Sequence, residues 1–247
     1  MKIITLLTDF GSFYPAQMKG VVLSKLKDRN VTFVDIAHDI PPQDVRAGAF
    51  ALLSSARYFP GGTIHIAVVD PGVGTERLGI VVESCGHFFV GPDNGLLLPA
   101  AKSLGQPRAY KIARAFEASS TFHGRDIFAP VAAMLAEGQS PQCLGPAVRP
   151  KDLGFGETKK TANGIETTII YVDRFGNLIL NMRKLPSSDV SLKGIKLRKV
   201  RTYAEGRRIE PLITLGSHGF AEIAVNLGSA ADAFCLKAGD RIVLEEI

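Results

Sequence analysis

The sequence predicts an α/β protein in two parts, an N-terminal, mostly parallel α/β sandwich followed by a small all-β barrel. Three observations carry that prediction. Short β-branched runs alternate with helix-period segments across residues 1–152, the pattern of strands covered by helices. From 153 to 247 no helix-period segment stands out, and short apolar runs are divided by Gly, Asn and Pro turns. LGFGETKKTANG (153–164), at the change of character, has no apolar period and is a linker candidate.

Residues 3–8 read as a buried strand ending at Asp9-Phe10-Gly11. Pro15 opens a helix to about Lys27, with Met18, Val21, Val22 and Leu26 on one face. VTFVD (31–35) is a second strand, and a helix from about Gln43 to Tyr58 carries the apolar centre AFALL. TIHIAVVD (63–70) is the central strand, stopped by Pro71, Gly72 and Gly74. GIVVES and HFFVG form two strands joined at Ser84-Cys85-Gly86, and Asp93-Asn94-Gly95 turns into a short helix. Asp126 is placed to N-cap a helix reaching about Glu137. In the second part ETTIIYVDRFGNLILNM, LITL, AEIAVNLG and RIVLEEI read as strands.

Composition narrows the class. With 46% hydrophobic and 21% charged residues the chain is an ordinary globular protein. No run approaches the ~18 apolar residues a membrane span needs. IITLLT ahead of Asp9 lacks a small-residue cleavage site, so a cytoplasmic protein without a membrane partner is expected. Cys85, Cys143 and Cys235, odd in number and far apart, suggest reduced, buried thiols. The net charge of +5 is concentrated in 193–208, where seven Lys/Arg accompany Glu205. Without interleaved aromatics this reads as a solvated strand-and-turn face, and a nucleic-acid partner is not expected.

Three successive strands end in aspartate, at Asp9, Asp35 and Asp70. Ligands of open α/β sheets collect at the carboxyl ends of strands, and there Asp70 is joined within seven residues by Arg77. Asp35 reads as a turn cap. Asp9 suits the two hydroxyls of a ribose, which need an acceptor-only group. The first turn lacks the G-x-G-x-x-G phosphate cradle, which argues against a standard dinucleotide site. His123, in a loop just ahead of a helix, can take or relay a proton near neutral pH. His38, His65, His87 and His218 have no comparable setting and no metal-ligand spacing, so no metal is expected. In the second part Asp173–Asn177 is a hairpin turn whose Phe175 could stack on a purine while Asn177 pairs with its edge. Ser217-His218-Gly219 and Glu222–Leu227 offer a hydroxyl, a carboxylate and exposed backbone.

Taken together, TDFG, VDPGVGTER, FHGRD, DRFGN and EIAVN, in this order and spacing, resemble the S-adenosylmethionine hydroxide adenosyltransferases, hydrolytic relatives of the fluorinating and chlorinating enzymes. The resemblance covers essentially the whole chain. It implies an N-terminal α/β domain, a C-terminal barrel, and a homotrimer with S-adenosylmethionine held between neighbouring subunits. It also implies the reaction, S-adenosylmethionine plus water giving adenosine and methionine, with no cofactor. By the same resemblance Asp70, Arg77 and His123 are the catalytic residues and Asp9 binds the ribose. Asp70 and Phe122 also contact substrate, the adenine lies against Phe175, Asn177 and the backbone from Val225 to Leu227, and the methionine end meets Ser217 and Glu222. The halogenating relatives carry tyrosines where this chain has Asp70 and His123, and they insert a loop not found here. Many relatives read Arg-Arg after the glutamate, whereas Arg77 is followed by Leu78.

The chemistry suits these residue types. A sulfonium departs as a neutral thioether and needs no general acid. The protein must orient a water in line with the carbon–sulfur bond at the ribose 5′-carbon, which contributes roughly 7–11 kcal/mol. Asp70 and Arg77 are expected to hold that water, with His123 accepting its proton directly or through their network. Two other classes fit less closely: a non-catalytic module that binds S-adenosylmethionine or adenosine, and a metal-dependent nucleotide phosphohydrolase.

Overall fold

The computed structural model describes residues 2–114 and 116–247. They fall into two compact units, residues 1–153 and 154–247.

The first unit is built on β1 (Lys2–Thr8), β2 (Val31–Ala37) and β3 (Ile64–Val68), with β4 (Gly79–Ser84), β5 (His87–Pro92), β6 (Arg108–Lys111) and β7 (Ala147–Val148). The seven strands form one sheet in the order β2-β1-β3-β5-β4-β6-β7. The first four in that order run parallel, and β4, β6 and β7 add an antiparallel extension. The switch has a local cause. β4 and β5 are joined by only Cys85 and Gly86, both at positive φ (46° and 77°), a tight turn that sends the chain straight back.

Helices α1 (Phe13–Lys25), α2 (Val45–Ala56), α3 (Leu98–Leu104) and α4 (Ala129–Ala136) flank the sheet. Every residue of β3 is buried, as expected of a strand covered on both faces. Side chains alternate, so Ile4 and Leu6 join Met18 and Val22 of α1 and Val131 of α4 in one core. On the other face α2 approaches closely at Gly48, where a Cβ would stand 2.9 Å from Val69 and from Leu96.

The second unit contains β8 (Lys159–Thr161), β9 (Gly164–Val172), β10 (Leu178–Leu180), β11 (Val190–Leu192), β12 (Ile195–Lys199), β13 (Pro211–Leu215), β14 (Ala221–Val225) and β15 (Arg241–Glu246). The long strand β9 closes the barrel: Ile165–Thr168 pair with β15, and Ile169–Val172 pair with β10. The circuit β9-β10-β14-β13-β12-β11-β15 thus has seven strands, with β8 attached outside it to β9.

Several expectations change. The linker candidate contributes β8, because Lys159–Thr161 find an open edge on β9. A short helix, α5 (Ala230–Phe234), interrupts the second unit, capped by Ser229 accepting from the Asp232 amide. Asp126 caps no helix. It lies inside a π-helical turn (Gly124–Phe128) ahead of α4, and its carboxylate instead takes the guanidinium of Arg125 and the amide of Ser119. Asp35 is not a turn cap, since its carboxylate pairs with Lys19 at 2.6 Å and His38 at 3.0 Å. The three cysteines are free thiols but exposed, each lying at a turn or helix end rather than in a core. The basic stretch is a strand-and-turn face: Lys196 pairs with Asp189, Arg198 with Glu210, and Lys199 bonds the carbonyls of Ser187 and Ser188. Among the described residues no helix is long and apolar enough to cross a membrane.

Candidate active site

The end of β3 is shaped by backbone chemistry. Asn94 donates to the carbonyl of Val69 (2.7 Å) and so holds the chain where it leaves the sheet. Two tight turns follow, Val73 N to Asp70 O (3.2 Å) and Thr75 N to Gly72 O (3.1 Å), which fold the segment back and return Arg77 to Asp70. Gly74 is required twice over. Its φ is +78°, and a Cβ there would lie 2.5 Å from the carbonyl oxygen of Ser120, so this turn rests directly on the loop that carries Thr121 to His123.

Arg77 then makes a forked ion pair with Asp70: Nε to Oδ2 at 2.9 Å and Nη2 to Oδ2 at 2.5 Å, with Nε also 3.0 Å from Oδ1. The side chains are only 8% and 5% exposed, and the guanidinium also lies over the ring of Phe128 at 5.4 Å. Nη2 reaches Nδ1 of His123 at 2.7 Å. A guanidinium can only donate, so Nδ1 accepts and the neutral ring carries its proton on Nε2. Burial, and next the charge of Arg77, push the His123 pKa below its ordinary value, while Asp70 and Asp126 pull the other way. The imidazole is therefore neutral near pH 7.

Asp9, Asp70, Phe122 and His123 line one cavity of about 430 Å³, together with Phe10, Tyr14, Val73 and Thr121 among others. The four sequence-predicted residues come from the ends of β1 and β3 and from the loop before the π-helical turn, and the fold brings them together. Asp9 accepts from the amide of Gln43 at 2.7 Å. Behind it, Thr8 Oγ1 and His38 Nδ1 are 2.8 Å apart and His38 Nε2 meets Asp35. That is the spacing of a hydroxyl–histidine–carboxylate relay, but Thr8 is fully buried and cannot reach a substrate. It braces the loop bearing Asp9. Among the described residues no three His, Cys, Asp or Glu side chains converge as a metal site.

The remaining predicted residues lie in the second unit. Asp173 organises the 173–177 turn, accepting from the amides of Phe175 and Asn177 and from Asn177 Nδ2, each at 2.9 Å. Phe175 is left 75% exposed and Leu227 79% exposed. On β14, Ala221, Ile223 and Val225 point into the barrel, so Glu222 faces outward. It is nevertheless only 2% exposed. Tyr203 donates its hydroxyl to Glu222 Oε1, and His218 Nε2 lies 3.0 Å from Oε2. Because His218 Nδ1 accepts from the Phe220 amide (3.1 Å), Nε2 holds the proton and donates. Burial first, then the bond to Glu222, raises the Tyr203 pKa. Ser217, on the adjoining turn, is exposed. Tyr203 was missed because it sits inside the basic stretch, and nothing in its spacing points back to Glu222.

Fold and site define a two-unit α/β-and-barrel protein with a carboxylate–guanidinium–imidazole cluster at the edge of a parallel sheet. Family models match both units. The SAM hydroxide adenosyltransferase N-terminal domain matches residues 4–145, and the C-terminal domain of that family matches residues 167–243. The chain belongs to the SAM hydroxide adenosyltransferase family. It is 39% identical to an (R)-S-adenosyl-L-methionine hydrolase of Thermus thermophilus, over 97% of this chain and 98% of that protein. A hydrolase of the same name from Salinispora tropica is 38% identical, over 97% and 96%. A fluorinase of an Actinoplanes species is 27% identical, over 96% and 95%. The fluorinase alignment runs 288 positions, against 254 for the Thermus hydrolase, so the fluorinase carries residues this chain lacks. A solved structure from Thermotoga maritima superposes with a TM-score of 0.86 at 32% identity, covering 98% of this chain and 99% of that one.

Proposed function

We propose that the protein hydrolyses S-adenosyl-L-methionine at the ribose 5′-carbon, giving adenosine and L-methionine. The observation that carries this reading is the Asp70–Arg77–His123 cluster, bonded as a unit at one cavity with Asp9, in a chain whose relatives are named for that hydrolysis. Their names specify the R form. The methionine carbon is already designated L, so R refers to the sulfonium, and the R epimer is the proposed substrate.

In this reading a water oxygen bonds to C5′ while the C5′–S bond breaks and its electron pair stays on sulfur as a neutral thioether. One proton leaves the water. Asp70 has lone pairs beyond those used by Arg77 and accepts one water O–H. Neutral His123 donates Nε2–H to one lone pair of that oxygen, leaving the other aimed at carbon. The expectation that His123 takes the proton is thereby replaced, since Arg77 occupies the nitrogen that would receive it. Asp70 takes the proton and passes it to solvent. No cofactor is required, because the leaving group carries its own positive charge.

The working form is a homotrimer in the same reading, with the cavity of one subunit's first unit covered by the second unit of a neighbour. Exposed apolar groups on each unit support this, Phe13 and Tyr14 on one and Ile209, Phe175 and Leu227 on the other. The free thiols fit a cytoplasmic location.

The test is incubation of each sulfonium epimer with purified protein and a chelator in oxygen-18 water, with products read by mass spectrometry. Label in adenosine and none in methionine, from the R epimer, is expected. Tight binding without product would replace hydrolysis by a binding role. Mixing Asp70→Asn with Glu222→Gln subunits should restore about a quarter of sites if they are shared between subunits, and none if they are not.

A further inference from the structure

Three aromatic rings converge on the cavity that holds Asp70. Phe10 follows Asp9 at the end of β1, Tyr14 lies in the first turn of α1, and Phe122 precedes His123. All three line the cavity. Their centroids are 6.1 Å apart for Phe10–Tyr14, 5.7 Å for Phe10–Phe122 and 5.4 Å for Tyr14–Phe122, with ring planes crossing at 90°, 85° and 79°. Three mutually near-perpendicular planes make a corner, not a stack. Tyr14 keeps 38% of its surface exposed at this corner.

Ring faces carry negative potential and attract cations, most strongly where several rings meet around a partly desolvated site. Phe122 already serves one cation, with Arg125 standing 5.0 Å from its centroid. The charges of the cavity point the same way. Arg125 is offset by Asp126 at 2.6 and 2.9 Å, and Arg77 is offset by Asp70. Asp9 bonds to a neutral backbone amide, which leaves its negative charge uncancelled by that contact.

We propose that Phe10, Tyr14 and Phe122 form the charge-selective wall of the site, binding the positively charged sulfonium of the substrate in preference to an uncharged thioether. The identity of the cation rests on the hydrolase reading. The positive charge disappears as the C5′–S bond breaks, so the wall holds substrate more firmly than either product. Because it favours the ground state, its loss raises KM and leaves kcat unchanged or higher.

The aza analogue of S-adenosylmethionine, with N–CH₃ in place of S–CH₃, tests this with one molecule of nearly constant shape. Its central amine is charged at low pH and neutral at high pH. Its Kd is measured across that titration for the unaltered protein, Tyr14→Leu, Tyr14→Phe and Phe122→Leu. S-adenosylhomocysteine, uncharged at sulfur, corrects for titration of the protein itself. The unaltered protein should prefer the charged form by about tenfold. Tyr14→Leu and Phe122→Leu should reduce that preference to about threefold or less, and Tyr14→Phe should keep it. Equal affinity for both forms in the unaltered protein overturns the proposal. So does a Tyr14→Leu variant that loses affinity for charged and uncharged ligands alike, since the ring would then act by packing. Failure of all three ligand forms to bind overturns the hydrolase reading instead.

Discussion

Thr5, His65 and His87 form one side-chain chain within the parallel sheet, and Asp70, Arg77 and His123 form another at its carboxyl edge. His65 Nδ1 lies 2.8 Å from Thr5 Oγ1, and His65 Nε2 lies 3.1 Å from His87 Nδ1. The ring of His65 is fully buried and stacks on Phe89. Burial, and next the charge of His87, pushes its pKa down to about 3, and for His123 burial comes first and Arg77 next. Both histidines are therefore neutral at pH 7, and pKa depression alone does not separate them. The difference is access. His65 has both nitrogens taken by buried partners, while His123 spends one on Arg77 and lines a cavity.

The largest effect should come from Asp70→Asn, which keeps the shape but removes the anion. Turnover is expected to fall about 10³-fold with little change in KM, read by steady-state kinetics. Replacing the other cluster, by Thr5→Val with His65→Phe, should leave turnover at pH 7 intact. A comparable loss there would erase the distinction between the two clusters.

The second effect is on stability. The unfolded chain binds a proton at His65 below about pH 6.5, and the folded chain does so only near 3. Unfolded chains thus hold more protons between those values, and stability rises with pH across that window. The contribution is complete above about 6.5 and is lost as pH falls, by up to about 1.4 kcal/mol per pH unit. Denaturant midpoints measured from pH 7 to 4 should drop steeply in the natural chain and less steeply in the double variant.

His123 sharpens the contrast at the scale of a hundredfold. His123→Ala should lose about 10²-fold in kcat. His123→Gln, which can accept from Arg77 and still donate to water, should lose about tenfold or less. Activity of the natural protein should decline as pH falls below the ordinary histidine range, because a protonated ring cannot accept from Arg77. Glutamine should abolish that acid limb, and its persistence in a pH–rate profile would assign the limb to another group.

Gly74→Ala should have the smallest effect, about 1–3 kcal/mol of stability, from the positive φ and the contact with Ser120. Thermal unfolding would register it, and an unchanged midpoint would show that the two loops do not rest on each other.

Much of this was legible in the sequence because it is local. Strand-end aspartates, the Pro-Gly turn after Asp70 and the change of period near 150 all express themselves within a few residues. The approach of Arg77 to Asp70 is likewise set by seven residues of turn. The tautomer of His123 depends on a partner 46 positions away, and the seating of Glu222 depends on Tyr203, 19 positions away. Asp35 reads as a turn residue until the sheet sets it beside Lys19 and His38. The cysteines are exposed although a thiol's own apolarity favours burial, because burial depends on what packs over it.

Sequence alone determined which residue types stand at the strand ends, since hydrophobic period and turn chemistry are short-range properties of the chain. Only the tertiary structure decided which histidine meets a cavity and which is sealed in the sheet, because hydrogen-bond partners and solvent access are supplied by segments distant along the chain.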